Sequence, residues 1–316
     1  MSTAGTLDRR PAAYRHEALF YDGPDAFFDR TQAFIDGGLA SDEPILVVVE
    51  AEKVGHLRER YGDAGQVTFA DMETVGENPA RIIPVWRAFL DGHRPGRPVR
   101  GIGEPMGPPR DEEALVECER HEALLNLAFR DSPGFWLLCP YDVARLGESV
   151  LDEAARNHPY RSGREPDDAP AFGGLDEAGQ PFSRTLPRAP ASASSMRFGL
   201  DALPVARSWT GSLVRELGLD RIRADELVIA VGELMTNSVR HGGGRGELRV
   251  WSANGSVVCE VTDRGRIEEP LAGRTRPSPE QTTGYGLWLV NQICDLVQIR
   301  TFATGSTVRV RMSLDR

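Results

Sequence analysis

The stretch Gly232-Glu-Leu-Met-Thr-Asn-Ser-Val-Arg-His-Gly242 decides how the C-terminal part of this 316-residue chain folds. Glu233, Asn237 and His241 follow one another at four-residue steps, so a helix places their polar side chains on one stripe. The residues on the opposite side are apolar, which predicts that this side is buried against a sheet. A solvated helix face would show the same stripe, so its meaning depends on the motifs around it.

Further motifs follow this helix in a definite order. Asp263-Arg-Gly265 ends a predicted strand, and Gly284-Tyr-Gly-Leu287 opens a predicted helix. Each is weak alone, because Asp-x-Gly and paired glycines also mark ordinary turns. Gly305-Ser-Thr307 then lies in the last predicted hairpin. The order of these motifs is far more specific than any one of them.

In this order the motifs resemble those of the GHKL ATPases, over essentially the whole of residues 196–316. The Gly-Tyr-Gly-Leu-Trp-Leu-Val run that begins at Gly284 resembles the anti-sigma-factor serine kinases most. The resemblance implies a C-terminal α+β Bergerat fold, a two-layer sandwich that binds ATP and Mg²⁺. It also implies protein partners, namely a sigma factor and an antagonist of the anti-sigma factor.

The resemblance implies a role for each motif residue. Glu233 would be the general base for phosphate transfer, and Asn237 would supply a side-chain oxygen to Mg²⁺. Asp263 would accept a hydrogen bond from the adenine amino group, and His241 fits a pocket wall and a purely structural place equally well. The residues implied to contact the nucleotide are Asn237, His241, Asp263, Gly265, Gly284, Gly286, Leu287 and Thr307.

One position departs from the family pattern. Arg266 and Ile267 follow Gly265, where the family often has a second glycine. The departure leaves the fold prediction intact and bears on nucleotide affinity.

Residues 14–160 have a different character. Predicted helices alternate with short apolar strands, such as Pro44–Glu50 and Gly134–Cys139, which predicts a three-layer α/β domain. Short motifs in this region resemble the MEDS sensory domain, which implies a RecA-like unit without a P-loop. These motifs are His16-Glu-Ala-Leu-Phe-Tyr21, Glu119-x-x-Glu-Ala-Leu-Leu-Asn126, Leu138-Cys-Pro-Tyr-Asp142 and His158-Pro159. The single lysine, Lys53, does not follow a glycine-rich loop, so the chain encodes no Walker-type NTPase.

Polar residues next to the predicted strands form a candidate sensor site. Open α/β sheets bind ligands at the carboxyl ends of their strands, so a small-molecule or metal signal is one interpretation. Each residue also fits an ordinary core position, because the spacing shows no metal signature. The candidate residues are His16, Cys139, Tyr141, Asp142 and His158.

Composition limits the remaining possibilities. Residues 161–195 are rich in Pro, Gly, Asp, Ala and Ser, which predicts a flexible linker. A net charge of -10 argues against nucleic acid as a direct partner. The longest aliphatic run, Ile45–Val49, is too short to span a membrane, and no signal-peptide pattern is present. A cytoplasmic protein is therefore expected, and a homodimer is left open.

The function predicted from these features is a serine/threonine protein kinase that controls transcription by partner switching under an N-terminal sensor. One alternative is a nucleotide-gated module that binds a sigma factor without useful kinase activity. A second alternative is a sensor histidine kinase, because His121-Glu-Ala-Leu-Leu-Asn126 resembles a phosphoacceptor box. That class needs a dimerising two-helix hairpin directly before its ATP domain, which residues 161–195 do not encode.

Overall fold

The computed structural model describes residues 14–315, except for residues 108, 133, 164–183, 279 and 282–283. The chain divides into two compact units, Met1–Ala178 and Gly179–Arg316, each with its own hydrophobic core. The central part of the predicted linker, residues 164–183, lies outside the described residues.

The N-terminal unit is built on a six-stranded sheet in the order β3-β2-β4-β5-β1-β6, with every neighbouring pair parallel. The strands are β1 (Arg15–Tyr21), β2 (Ile45–Val49), β3 (Val67–Asp71), β4 (Val99–Gly103), β5 (Phe135–Asp142) and β6 (Tyr160–Arg161). The helices are α1 (Gly23–Ala40), α2 (Ala51–Tyr61), α3 (Met72–Val75), α4 (Ile82–Asp91), α5 (Glu112–Phe129) and α6 (Glu148–Asn157).

Helices cover both faces of this sheet, which explains why all five residues of β2 are apolar and buried. On one face, Phe34 of α1 and Leu57 of α2 share a core with Val47 and Leu138 of the sheet. On the other face, the ring of Trp86 from α4 lies against β4, where Gly101 and Gly103 have no side chain to exclude it. The predicted parallel α/β domain is confirmed, whereas a specifically RecA-like topology stays a prediction.

The C-terminal unit is built on a five-stranded antiparallel sheet in the order β10-β11-β9-β8-β7. Its strands are β7 (Ser194–Gly199), β8 (Arg245–Ala253), β9 (Ser256–Asp263), β10 (Leu296–Phe302) and β11 (Gly305–Ser313). Its helices are α7 (Leu203–Glu216), α8 (Arg221–His241) and α9 (Tyr285–Ile293). An antiparallel sheet with helices agrees with the predicted α+β class.

The two faces of the C-terminal sheet differ in chemistry. Alternate residues such as Val250, Cys259 and Val310 are buried in one core with residues of the three helices. The residues between them include Arg309, which pairs with Glu260 at 2.7 Å. Arg309 also donates to the carbonyl oxygen of Pro187 at 2.6 Å, and Arg300 donates to that of Arg184 at 2.7 Å. The chain just before β7 is therefore held on the outer face of this sheet.

Candidate functional site

Helix α8 carries the polar stripe that the sequence predicts. Asp220 caps its N-terminus, because the Asp220 carboxylate accepts from the backbone N–H of Ile222 at 2.7 Å and of Arg223 at 3.1 Å. The predicted apolar side of the helix is buried in the core, including Leu227 and Val231. This packing fixes the rotation of the helix and leaves the opposite stripe half-buried at its centre.

Two residues of the stripe meet the first turn of α9. A Cβ atom added to Gly286 would lie 3.0 Å from Glu233 Oε2 and 3.2 Å from Asn237 Nδ2. Both distances are shorter than ordinary contacts, so any larger residue at Gly286 would displace the Glu233 or Asn237 side chain. Gly284, the N-cap of α9, has a φ of 92°, a left-handed conformation that glycine adopts readily. The N-terminus of a helix favours anions, so a carboxylate and an amide meet a helix end of the kind that attracts an anion.

Asp263 lies at the end of β9 and is anchored from two sides. Its Oδ2 accepts from the hydroxyl of Ser238 at 2.5 Å, and its Oδ1 accepts from the backbone N–H of Gly265 at 2.7 Å. A Cβ atom on Gly265 would lie 2.6 Å from the carbonyl oxygen of His241, so this approach also requires glycine. Sequence reasoning missed Ser238, although it directly follows Asn237 in the same motif.

The final hairpin braces the segment that follows Asp263. The hydroxyl of Ser306 donates to the carbonyl oxygen of Gly265 at 2.9 Å and accepts from the backbone N–H of Ile267 at 3.2 Å. The side chain of Ile267 packs against the core. The departure from the family pattern at Arg266 and Ile267 is thus accommodated without a second glycine. Ser306 is a second residue that sequence reasoning missed.

Three predicted nucleotide contacts occupy different surroundings. Thr307 Oγ1 lies 3.4 Å from Thr262 Oγ1, on the strand next to the one that ends at Asp263. Leu287 packs partly into the core and against Gly273 of the preceding loop. His241 ends α8 with an exposed side chain, and its contact with Gly265 is made by the backbone carbonyl. Their roles toward a nucleotide stay predictions.

In the N-terminal unit, residues far apart in sequence form a buried polar cluster. His16 Nε2 lies 3.2 Å from Glu122 Oε2 and 3.4 Å from Cys139 Sγ, and His158 Nε2 lies 3.2 Å from the same oxygen of Glu122. Each residue is at most 1% exposed. Sequence reasoning named His16, Cys139 and His158 but missed Glu122, which lies inside the quoted motif of α5.

Electrostatics within the cluster follow from its burial. Burial, and the neighbouring His158 ring, lower the pKa of His16 from 6.5 to about 4, so this imidazole is neutral at neutral pH. Burial raises the pKa of the Cys139 thiol well above its usual value. At neutral pH the cluster therefore holds the neutral imidazole of His16 and the protonated thiol of Cys139 next to the carboxylate of Glu122.

The remaining two sensor candidates lie in two different places. The ring of Tyr141 meets that of His158 edge-on, with centroids 5.5 Å apart, so Tyr141 borders the buried cluster. Asp142 lies on the opposite face of the sheet and lines a cavity of about 170 Å³ with Tyr21 and Glu104. Lys53 contacts Glu104 of this cavity, with its Nζ 2.6 Å from Glu104 Oε1. The single lysine is therefore engaged in a nearly buried ion pair.

Family models match both parts of the chain. Residues 15–159 match the MEDS model, described as the methanogen/methylotroph, DcmR sensory domain. Residues 197–312 match the model of the histidine kinase-like ATPase domain. The predicted layout is therefore confirmed: a MEDS sensory domain precedes a histidine kinase-like ATPase domain of the GHKL type. Such a domain implies ATP binding.

Solved structures resemble the chain only in part. The RsbU and RsbW domains of Rv1364c from Mycobacterium tuberculosis match with 22% identity and a TM-score of 0.30, over 41% of this chain and 34% of that one. Histidine kinase AdeS from Acinetobacter baumannii matches with 14% identity and a TM-score of 0.24, over 39% of this chain and 68% of that one. The chain thus spans about a third of the first structure.

No curated protein matches this chain. Among the helices of the described residues, none has the length and apolar character needed to cross a membrane.

Proposed function

We propose that the C-terminal domain is a serine/threonine protein kinase that uses Mg-ATP and takes part in partner switching. It phosphorylates the antagonist of the anti-sigma factor and binds a sigma factor, and the N-terminal domain controls it as a sensor. The observation that carries the proposal is the packing of Glu233 and Asn237 against Gly286, at 3.0 and 3.2 Å from the position of an added Cβ. This packing supports a site in which a base and a metal ligand face one phosphate-binding helix end.

The residues present fit a bound Mg-ATP. Asn237 is half-buried, so its amide oxygen is available to a hard cation, which prefers oxygen ligands. Gly284 has no side chain to block the approach of phosphate oxygens to the N-terminus of α9, and Gly286 brings that helix end next to Glu233 and Asn237. Asp263 is held in place by Ser238 and accepts from an adenine amino group. Mg²⁺ held by Asn237 would supply positive charge that offsets the negative charge of the phosphates.

Glu233 acts as the general base in the transfer. Its carboxylate accepts the proton of a serine or threonine hydroxyl as the hydroxyl oxygen forms a bond to the γ-phosphorus. The bond from the γ-phosphorus to the bridging oxygen breaks, and the electron pair leaves with ADP. Helix α8 positions the base and the metal ligand one turn apart, so both act on the same phosphate.

Burial argues against the alternative in which His121 receives the phosphate. His121 is 1% exposed and lies in the middle of α5, within the N-terminal unit. A phosphoacceptor must reach the γ-phosphate of a nucleotide bound to another domain. A residue buried in a packed helix meets that requirement only if the helix unfolds locally.

A single-turnover assay tests the proposal. The full chain is mixed with ATP labelled at the γ-phosphate and with proteins that are retained on it from its own cells in the presence of ATP. We expect acid-stable label on a retained partner, as for phosphoserine or phosphothreonine. Acid-labile label on this chain would instead indicate the histidine kinase. Tight ATP binding without transfer to any partner would indicate a nucleotide-gated module that binds a sigma factor.

A further inference from the structure

The buried cluster of His16, Glu122, Cys139 and His158 has donor atoms that point toward one another. The His16 Nδ1 lies 3.1 Å from Asn126 Oδ1, and the His158 Nδ1 lies 2.7 Å from the carbonyl oxygen of Ala154. A carbonyl accepts only, so His158 carries its proton on Nδ1, and the same tautomer suits His16 because an amide oxygen also accepts. In the neutral form of each ring, Nε2 then carries a lone pair that faces Glu122.

This arrangement is poor as a hydrogen-bonded network. With both rings neutral, two imidazole lone pairs face a carboxylate oxygen at 3.2 Å, and neither oxygen of Glu122 nor Nε2 of His158 has a hydrogen-bonding partner among the described residues. Buried acceptors without a donor are costly, because the low local dielectric leaves their repulsion unscreened. A positive centre between them would remove this cost.

The spacing of these atoms suits a tetrahedral metal ion. Metal bonds of about 2.0–2.3 Å to nitrogen, oxygen and sulfur place the ligands of a tetrahedron about 3.3–3.8 Å apart. The three contacts in the cluster measure 3.2, 3.2 and 3.4 Å. One metal-binding atom from each of the four residues lies within 4.8 Å of the other three, so small side-chain movements close the remaining gaps.

We propose that His16, Glu122, Cys139 and His158 bind one divalent transition-metal ion of the Zn²⁺ class inside the N-terminal domain. Two imidazoles, a carboxylate and a thiolate are ligands that Zn²⁺ and Co²⁺ accept, whereas Mg²⁺ and Ca²⁺ prefer oxygen alone. Binding forms the bond from Sγ to the metal and releases the thiol proton to solvent. The thiolate and carboxylate then neutralise the two positive charges, as a buried site requires.

The position of the ligands shows what such an ion does. Neighbouring strands β1 and β5 supply His16 and Cys139, helix α5 supplies Glu122, and His158 follows α6 at the end of the domain. One ion therefore connects β1, the first strand of the N-terminal unit, to the end of α6, its last helix. Because all four ligands come from the protein and are buried, the site is of the closed, structural kind rather than the open, catalytic kind.

Cobalt provides a direct test on the untagged full chain after treatment with a chelator. Tetrahedral Co²⁺ gives intense visible absorption, and a thiolate ligand adds a charge-transfer band in the near ultraviolet. We expect both signals to saturate at one Co²⁺ per chain, and added Zn²⁺ to abolish them. Absence of stoichiometric binding, or a weak octahedral spectrum, would overturn the proposal.

Variants locate the ion. Cys139→Ser should lose the charge-transfer band, whereas Cys118→Ser should keep it, because Cys118 is buried in the same domain with its Sγ 3.5 Å from the carbonyl oxygen of Pro105. Glu122→Gln should weaken Co²⁺ binding by more than about tenfold. Asn126→Ala removes the acceptor for His16 Nδ1 and the donor to the carbonyl oxygen of Asn157, and it should weaken binding by about 10–100-fold with the band retained. Circular dichroism checks that each variant is folded. An unchanged spectrum in folded Cys139→Ser would place the ion elsewhere and refute the site.

Discussion

At the scale of single residues, Glu233 and Asn237 share a stripe of α8 but are expected to do different work. Asn237→Ala removes the side-chain oxygen for Mg²⁺, so we expect Mg-ATP binding to be lost. Glu233→Gln keeps the size of the side chain and removes the base. We therefore expect normal ATP binding and a loss of phosphate transfer by about 10²- to 10⁴-fold. Calorimetry measures the binding, and the single-turnover assay measures the transfer.

A matched control separates the charge of Glu233 from its position. Glu226 lies two turns earlier on α8, where it pairs with Arg223 at 3.2 Å. Glu226→Gln should therefore leave both ATP binding and transfer at the level of the unmodified chain. Transfer at the normal rate by Glu233→Gln would show that this residue is not the base, and normal Mg-ATP binding by Asn237→Ala would refute the metal ligand.

At the scale of elements, the hairpin of β10 and β11 keeps the strand end at Asp263 in place. Gly305 begins β11 with a φ of 145°, and a Cβ atom added there would overlap the carbonyl oxygen of Asp263. We expect Gly305→Ala to lower the free energy of unfolding of the C-terminal domain by more than about 2 kcal/mol. We also expect it to weaken ATP binding, because it displaces Asp263. Urea titration of the full chain measures the first effect.

Gly255 in the neighbouring hairpin serves as the control for this substitution. Its φ is 68°, and a Cβ atom added there would have only Asp315 Oδ2 nearby, at 3.9 Å. Gly255→Ala should therefore lower the free energy of unfolding by only about 1 kcal/mol, which is the cost of a left-handed backbone conformation for alanine. If both variants lower the free energy of unfolding by the same amount, the overlap with Asp263 adds no destabilisation.

At the scale of the whole molecule, the two compact units have separate cores. We expect a fragment of residues 179–316 to fold alone and to bind ATP with the affinity of the full chain. The fragment keeps the carbonyl groups of Arg184 and Pro187 that Arg300 and Arg309 hold on the outer face of the sheet. Calorimetry with ATP compares the two. A folded fragment that binds ATP much more weakly would show that the N-terminal unit contributes to the nucleotide site.

The division between sequence and tertiary structure is clear in the C-terminal domain. The four-residue spacing of Glu233 and Asn237 is enough to predict that they share one helix face, because the helix period is a local property. The order of the motifs also predicts the domain class. The spacing cannot show that Ser238 holds Asp263, since that bond joins a helix to a strand end across the core. The hydrogen bond from the backbone N–H of Ile267 to the hydroxyl of Ser306 cannot be predicted either, because it also joins residues that are far apart in the sequence.

In the N-terminal domain the sequence determined less. Alternating helices and fully apolar strands predict a parallel α/β sheet, since only burial on both faces favours such strands. Strand order is not local: β1 and β5 become neighbours although more than a hundred residues separate His16 from Cys139. Glu122 then reaches them from α5. The polar residues could be named from the sequence, but only the packing of helix on sheet decided which of them meet and that Asp142 stands apart from them.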